Sequence, residues 1–215
     1  MTGGTSPGTE APGTGTTSVR GRLLAAASRL FYARGINATG IDAVIAEAGV
    51  AKQSLYNTFS SKEELTRAYV TARHEEWLEL YRARVAQAEC PRDRVLAVFD
   101  AYLDHASGAY EHGFRGCGLL NAAAEFPAGS PGREAVRRHK EQVQSLLAGH
   151  LAETGSADPE LAEHLAFLLE GAMSRAGLEG RPDLLLSARR IAAGMLDARL
   201  YAGPDAHLDA HLDAR

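Results

Sequence analysis

The chain has 215 residues, 45% of them hydrophobic, and a formal net charge of −4. That is enough for one large or two small domains with a real core, and no apolar run nears the roughly 18 residues that a membrane-crossing helix needs. Two cysteines, Cys90 and Cys117, exclude a disulfide framework and fit a reduced cytoplasm. The acidic balance is uneven: six basic against four acidic residues between Val19 and Leu65 leave that stretch positive and the remainder more negative than the whole. A mildly basic head on an acidic body suits a module that meets phosphate at one end.

In chain order, residues 1–18 are Gly, Thr, Ser and Pro with almost no apolar side chains. They cannot offset their ordering entropy and are expected to form a disordered tail. They also lack the basic and apolar regions of a secretory signal. Leu23, Ala27, Leu30 and Phe31 then keep helical spacing behind Ser18 or Thr17 as cap, with Gly35 as the stop. Ile41, Val44, Ile45 and Ala48 repeat the pattern, entered at Thr39 and closed by Gly49. A third short helix is expected over Ala51–Asn57, around Leu55. Ser60-Ser61-Lys62-Glu63-Glu64 holds two overlapping capping boxes and opens a long helix to about Ala88. Cys90-Pro91 ends it and starts the next, whose apolar face is Val95, Phe99, Tyr102, Leu103 and Ala106.

Glycines 108, 113, 116 and 118 break the chain. Further helices are expected over Gly118–Glu125, Arg133–Glu153, Pro159–Ala176 behind the cap-and-proline pair Asp158-Pro159, and Asp183–Leu200. No segment alternates long enough to be a strand. The expectation is an all-α protein of about nine helices: a disordered tail at 1–18, a three-helix head at 19–65, a helical body at 66–202 and a flexible tail at 203–215.

Residues 35–65, GINATGIDAVIAEAGVAKQSLYNTFSSKEEL, carry the strongest functional signal. They encode a short amphipathic helix, a tight turn and a second short helix that spends Lys52, Gln53, Ser54, Tyr56 and Asn57 on polar reach and only Leu55 on the core. Such a helix suits the major groove, whose base edges present a readable donor and acceptor pattern.

Phe31, Gly35, Thr39, Ile41, Ile45, Ala46, Ala48, Gly49, Val50, Leu55, Tyr56, Phe59, Ser61, Lys62 and Leu65 fall where the TetR/AcrR family has its head pattern, and the segment closely resembles that family. The resemblance implies phosphate contacts from Thr39, Tyr56 and Lys62, and base or nearby phosphate contacts from Lys52, Gln53, Ser54 and Asn57. Arg20 and Arg22 would add flanking electrostatic contacts. Two positions depart from the pattern: Ala51 replaces the usual capping Ser or Thr, and Thr58 replaces a frequent His or Tyr.

The same resemblance implies a rear domain that senses a small molecule and dimerises through its last two helices. The stripes Leu161, Leu165, Leu168, Ala172, Met173 and Ile191, Met195 are the expected interface, which sets two recognition helices about one DNA turn apart over a palindromic operator. For the effector pocket, Cys117, Asn121 and Glu125 stand four apart on one helix face, His139 is placed opposite, and Trp77, Tyr81, Phe99 and Tyr102 supply aromatic walls. The function expected is a cytoplasmic, ligand-responsive repressor with no cofactor and no membrane partner. The alternative is an effector-independent architectural DNA-binding dimer. Metal binding by Glu125 with His139 or by His207 and His211, and redox sensing by Cys117, have weaker grounds: a third ligand or an adjacent base is missing. Enzymatic chemistry is not expected, because no nucleophile–base pair, phosphate loop or metal-ligand cluster has convincing spacing.

Overall fold

Local capping chemistry fixes most of the element boundaries. The computed structural model describes residues 18–108, 113–155 and 157–201, and among these all regular structure is α-helical. The expected tails, Ser18 apart, and the His207/His211 pair lie outside the described residues.

The head comprises α1 (Val19–Arg34), α2 (Ile41–Ala48) and α3 (Lys52–Thr58). The body comprises α4 (Lys62–Val85), α5 (Pro91–Ala106), α6 (Gly118–Glu125), α7 (Pro131–Glu153), α8 (Pro159–Glu179) and α9 (Leu184–Tyr201). Ser18 and Ser61 cap α1 and α4 by accepting from Gly21 N–H and Glu64 N–H. Glu64 reaches back to the N–H and hydroxyl of Ser60, at 2.7 and 2.6 Å. Ser130 and Asp158 cap α7 and α8, each followed by proline in the first turn.

Several boundaries differ from expectation: α3 and α9 each lie one residue later at both ends, and α4 ends at Val85 rather than near Ala88. Gly40, not Thr39, is the N-cap of α2, without a side-chain bond. α7 starts at Pro131 because Ser130 is its cap. α8 runs on to Glu179 and ends at Gly180, which has φ 64°. Gly177 is therefore interior to α8, and it serves a contact: a Cβ there would overlap the backbone of Arg115 and Gly116, which crosses the helix at that point.

Head and body share a continuous apolar core. Leu23, Ala27, Val44 and Leu55 are fully buried in the head, while Leu65 and Tyr69 carry that core onto α4. α5 reads as an almost unbroken apolar run because α4, α7 and α9 all pack around it. Two bidentate ion pairs set its direction against α9. Arg92 holds Asp197 at 2.6 and 3.0 Å, and Arg189 holds Asp100 at 2.6 and 3.0 Å. The pairs run in opposite chain order, so the two helices are antiparallel. Bidentate guanidinium–carboxylate pairs combine strength with fixed geometry.

Candidate functional site

On α3, Lys52, Gln53, Tyr56 and Asn57 are all exposed, while Leu55 is fully buried under α1 and α2. Positions i, i+1, i+4 and i+5 share one side of a helix, so these four form a polar face. Gln53 donates from Nε2 to Asn57 Oδ1 at 3.0 Å. The two amides are thus pre-aligned one turn apart, as a pair of hydrogen-bonding edges. Lys52 donates to Asp42 at 3.0 Å, and the Asp42 carboxylate raises the ammonium above its ordinary pKa. Both partners are exposed, so the pair is weak and phosphate can take over Lys52 at small cost. Ser54 is half-buried at the flank of the face, and its carbonyl accepts from Thr58 Oγ1 at 2.7 Å. Lys62 is half-buried at the first turn of α4.

Three basic or polar residues expected at DNA have other partners. Thr39 is 2% exposed and its hydroxyl donates inward to the Gly35 carbonyl at 2.7 Å, so its side chain ties the connection between α1 and α2. Arg22 donates to the Gly49 carbonyl at 3.3 Å, bracing the turn between α2 and α3. Arg20 lies over the Phe59 ring at 5.4 Å.

In the body, a small cavity of about 10 Å3 lies among Arg73, Trp77, Tyr102, His105, Cys117 and His139, closed by Gly118 and Leu119. Trp77 stacks on Tyr81 with centroids 5.5 Å apart and meets His139 edge-on at 5.3 Å. Trp77 Nε1 and Arg73 Nε are buried without a hydrogen-bond partner. Burial lowers the His139 pKa to about 3 and the His105 pKa to about 4, with nearby cations adding to both shifts. Both imidazoles are therefore neutral at physiological pH. Burial pushes Tyr102 up to about 12, so its hydroxyl keeps its proton. Lys140 approaches the Tyr102 oxygen at 3.5 Å as donor only, which directs the Tyr102 proton to His139 Nε2 at 3.3 Å. His139 Nδ1 then faces His74 Nδ1 at 2.9 Å.

Of the residues expected at an effector, Trp77, Tyr102, Cys117 and His139 come together here. Four do not. Tyr81 stands behind Trp77 and bonds His150 at 2.7 Å. Phe99 is 1% exposed in the core and does not line the cavity. Asn121 donates to the Arg115 carbonyl at 2.9 Å. Glu125 accepts from the backbone N–H groups of Ile36 and Asn37 at 2.8 and 2.7 Å. The line of polar residues along α6 therefore splits, because each meets a different neighbour. Arg73 and His105 complete the cavity, and neither has a sequence signal beyond being polar on an amphipathic helix.

The Glu125 contact is half of a clasp between body and head. Arg115 forms the other half, donating to the carbonyls of Tyr32 and Ala33 at 2.6 and 2.5 Å. Tyr32 in turn accepts from Arg115 N–H at 2.5 Å and donates to the Gly116 carbonyl at 3.1 Å. The carboxylate is held by two N–H groups just after α1, and the guanidinium meets the carbonyls at the helix's negative C-terminal end. Gly35 makes room: its φ is 90°, and a Cβ there would stand 2.8 Å from Glu125 Oε1.

The residues of the expected dimer stripes divide by burial. Leu161, Leu165 and Met173 are buried within the subunit. Leu168, Ala172 and Met195 are half-buried, and Ile191 is 54% exposed. The outward apolar residues of α8 are Phe167, 62% exposed, and Leu178, 88% exposed. Gly171 and Ser174 lie between them on the same exposed face.

Two family profiles match the chain in tandem. Residues 23–69 match that of bacterial regulatory proteins of the tetR family, and residues 91–192 match the tetracyclin repressor-like C-terminal domain. A TetR-family transcriptional regulator of known structure from Streptomyces coelicolor is 31% identical, with TM-score 0.74 over 85% of this chain and 94% of that one. Regulatory protein TetR from Rhodobacter sphaeroides is 28% identical, with TM-score 0.69 over 80% and 96%. The transcriptional activator FasR of Mycolicibacterium smegmatis is 37% identical over 94 residues, 42% of this chain and 43% of FasR. The regulator TtgR of Pseudomonas putida is 34% identical over 86 residues, again 38% and 41% of the two chains. The match thus spans less than half the length of these curated relatives.

Proposed function

From the premise that this chain belongs to the TetR family of transcriptional regulators, we propose that it is a repressor, dimeric on a palindromic operator and released by a small-molecule effector. The observation that carries the effector response is the clasp. The segment that supplies Cys117, Gly118 and Leu119 to the cavity also carries Arg115 and Glu125, which hold the end of α1. Displacing the cavity wall therefore strains the bonds that orient the head. An effector that favours the displaced arrangement shifts the equilibrium away from the operator-binding one.

Lys52, Gln53, Tyr56 and Asn57 form the groove-facing surface, with Ser54 at its flank and Lys62 on the phosphates. Dimerisation is assigned to the outward face of α8 and α9, where Phe167, Leu178 and Ile191 expose apolar surface beside Gly171 and Gly194. A Cβ at either glycine would meet nothing within 4 Å, so both leave backbone open to a close neighbour.

The test is selection of genomic fragments bound by the purified chain, followed by a compound screen for release. Enrichment of a palindrome and release by a compound support the reading; failure to enrich any palindrome overturns it. Because FasR is an activator, transcription from the selected promoter is measured as well, and a rise on adding the protein would overturn the repressor assignment.

A further inference from the structure

Resting on the reading of this body as an effector sensor, we propose that the effector presents an anionic acceptor, a carboxylate on an aromatic body, to Arg73 and Trp77. These residues stand at i and i+4 on α4, so their side chains are neighbours on one face. Arg73 Nε and Trp77 Nε1 are the unpartnered donors at the cavity. The indole has no freedom to turn its N–H elsewhere. Tyr81 stacks on it, His139 meets it edge-on and Tyr102 tilts against it with centroids 5.2 Å apart. Two fixed donors without acceptors select a ligand that brings acceptors.

The surrounding polar groups favour the same chemistry. The Tyr102 hydroxyl donates a hydrogen bond to His139 Nε2, and His139 Nδ1 is taken up with His74, so neither His139 nitrogen is spare to accept from a ligand donor. Glu76 pairs with Arg73 but does not line the cavity; its Oε2 is the remaining buried atom without a hydrogen-bond partner among the described residues. Charge-assisted hydrogen bonds from a guanidinium are stronger than neutral ones, and a carboxylate offers one oxygen to each of the two donors. Trp77 and Tyr102 supply the aromatic walls for the rest of the molecule. At about 10 Å3 the cavity has room for about one water-sized atom, a single carboxylate oxygen. The organic body enters by displacing Cys117–Leu119, which loads the clasp on either side.

The chain has a single tryptophan, so Trp77 reports directly on its own site. Phenylacetate, phenylacetamide and phenethylammonium are titrated at pH 7 into the full-length protein bound to a selected operator. Indole fluorescence, melting temperature and operator release are followed. Phenylacetate is expected to act at concentrations at least about 10-fold below the amide, and the ammonium to have no effect. Arg73→Gln and Trp77→Phe should each weaken the phenylacetate response at least about 10-fold, measured against each variant's own unliganded melting temperature. An amide or ammonium as effective as the carboxylate overturns the anion assignment and leaves the sensor reading standing. Silence from all three probes also overturns the anion assignment. Only if a broad compound screen on the same complex fails as well does the sensor reading fall with it.

Discussion

Replacing Glu125 by Ala removes the acceptor for two backbone N–H groups at the end of α1. A hydrogen bond to a charged group contributes about 1.5–3 kcal/mol. The two bonds do not count equally. The Ile36 N–H is part-buried and loses its partner, whereas the exposed Asn37 N–H exchanges the carboxylate for water. The net cost is therefore about that of one charged bond, about 1.5–3 kcal/mol. Hydrogen exchange at the Ile36 amide should accelerate by about 10- to 150-fold, the same free energy expressed as an opening equilibrium. Asn37 should change far less. The melting temperature should fall by about 3–12 °C for a chain of this size. If Ile36 retains its protection and the melting temperature is unmoved, Glu125 does not hold the head and the proposed route from cavity to DNA is wrong.

On the head, Tyr56→Phe or Lys62→Ala should weaken binding to all sequences alike, and loss of Lys62 should reduce the salt dependence by about one counterion. Gln53→Ala should instead alter base preference, and an unchanged site-selection profile removes it from the readout. On the body, Phe167→Glu places a charge in the proposed interface and should raise the dimer dissociation constant by about 100-fold or more, near 3 kcal/mol. Sedimentation equilibrium reads this directly, and an intact dimer with native helicity would refute the surface. The depressed pKa values of His139 and His105 give a pH dependence with a definite sign. Both are neutral in the folded state where the unfolded chain is already protonated, so their stability contribution is complete above about pH 6.5 and lost as pH falls toward 4. For buried His139 alone the loss between pH 6.5 and 5 is about 2 kcal/mol. Urea unfolding at pH 7 and 5 checks it, and a flat profile would show that burial does not suppress its charge.

The helices were largely legible because their ends rest on local chemistry. Ser18, Ser61, Cys90-Pro91 and Asp158-Pro159 announce starts that depend on the chain's own backbone. The expected end of α8 at Ala176 fell short for the opposite reason: Gly177 lies inside the helix, where it admits a distant backbone, and Gly180 ends α8. The head's polar face was legible because Leu55 alone is apolar on a helix too short to bury more. The bonds of Arg22 and Thr39 to the Gly49 and Gly35 carbonyls were not legible because they are set by tertiary packing. The α6 residues show the same limit. Spacing puts Asn121 and Glu125 on one face, but only the fold shows that Glu125 faces the end of α1. On α8 the period was legible but the division between inside and outside was not, since Leu165 and Phe167 are both apolar and only packing distinguishes them.

The crossing of α8 by Gly116 at Gly177 has a mechanical consequence. Backbone lies against backbone there, with no side chain between to change rotamer and take up a displacement. A movement of Gly116, whose carbonyl accepts from the Tyr32 hydroxyl of α1, therefore meets α8 with no side chain between to absorb it. The same few atoms link the DNA-facing head, the cavity wall and the helix assigned to the partner subunit. A bulkier residue at position 177 would force these three apart together, producing a chain locked near one end of its range whether or not a ligand is present.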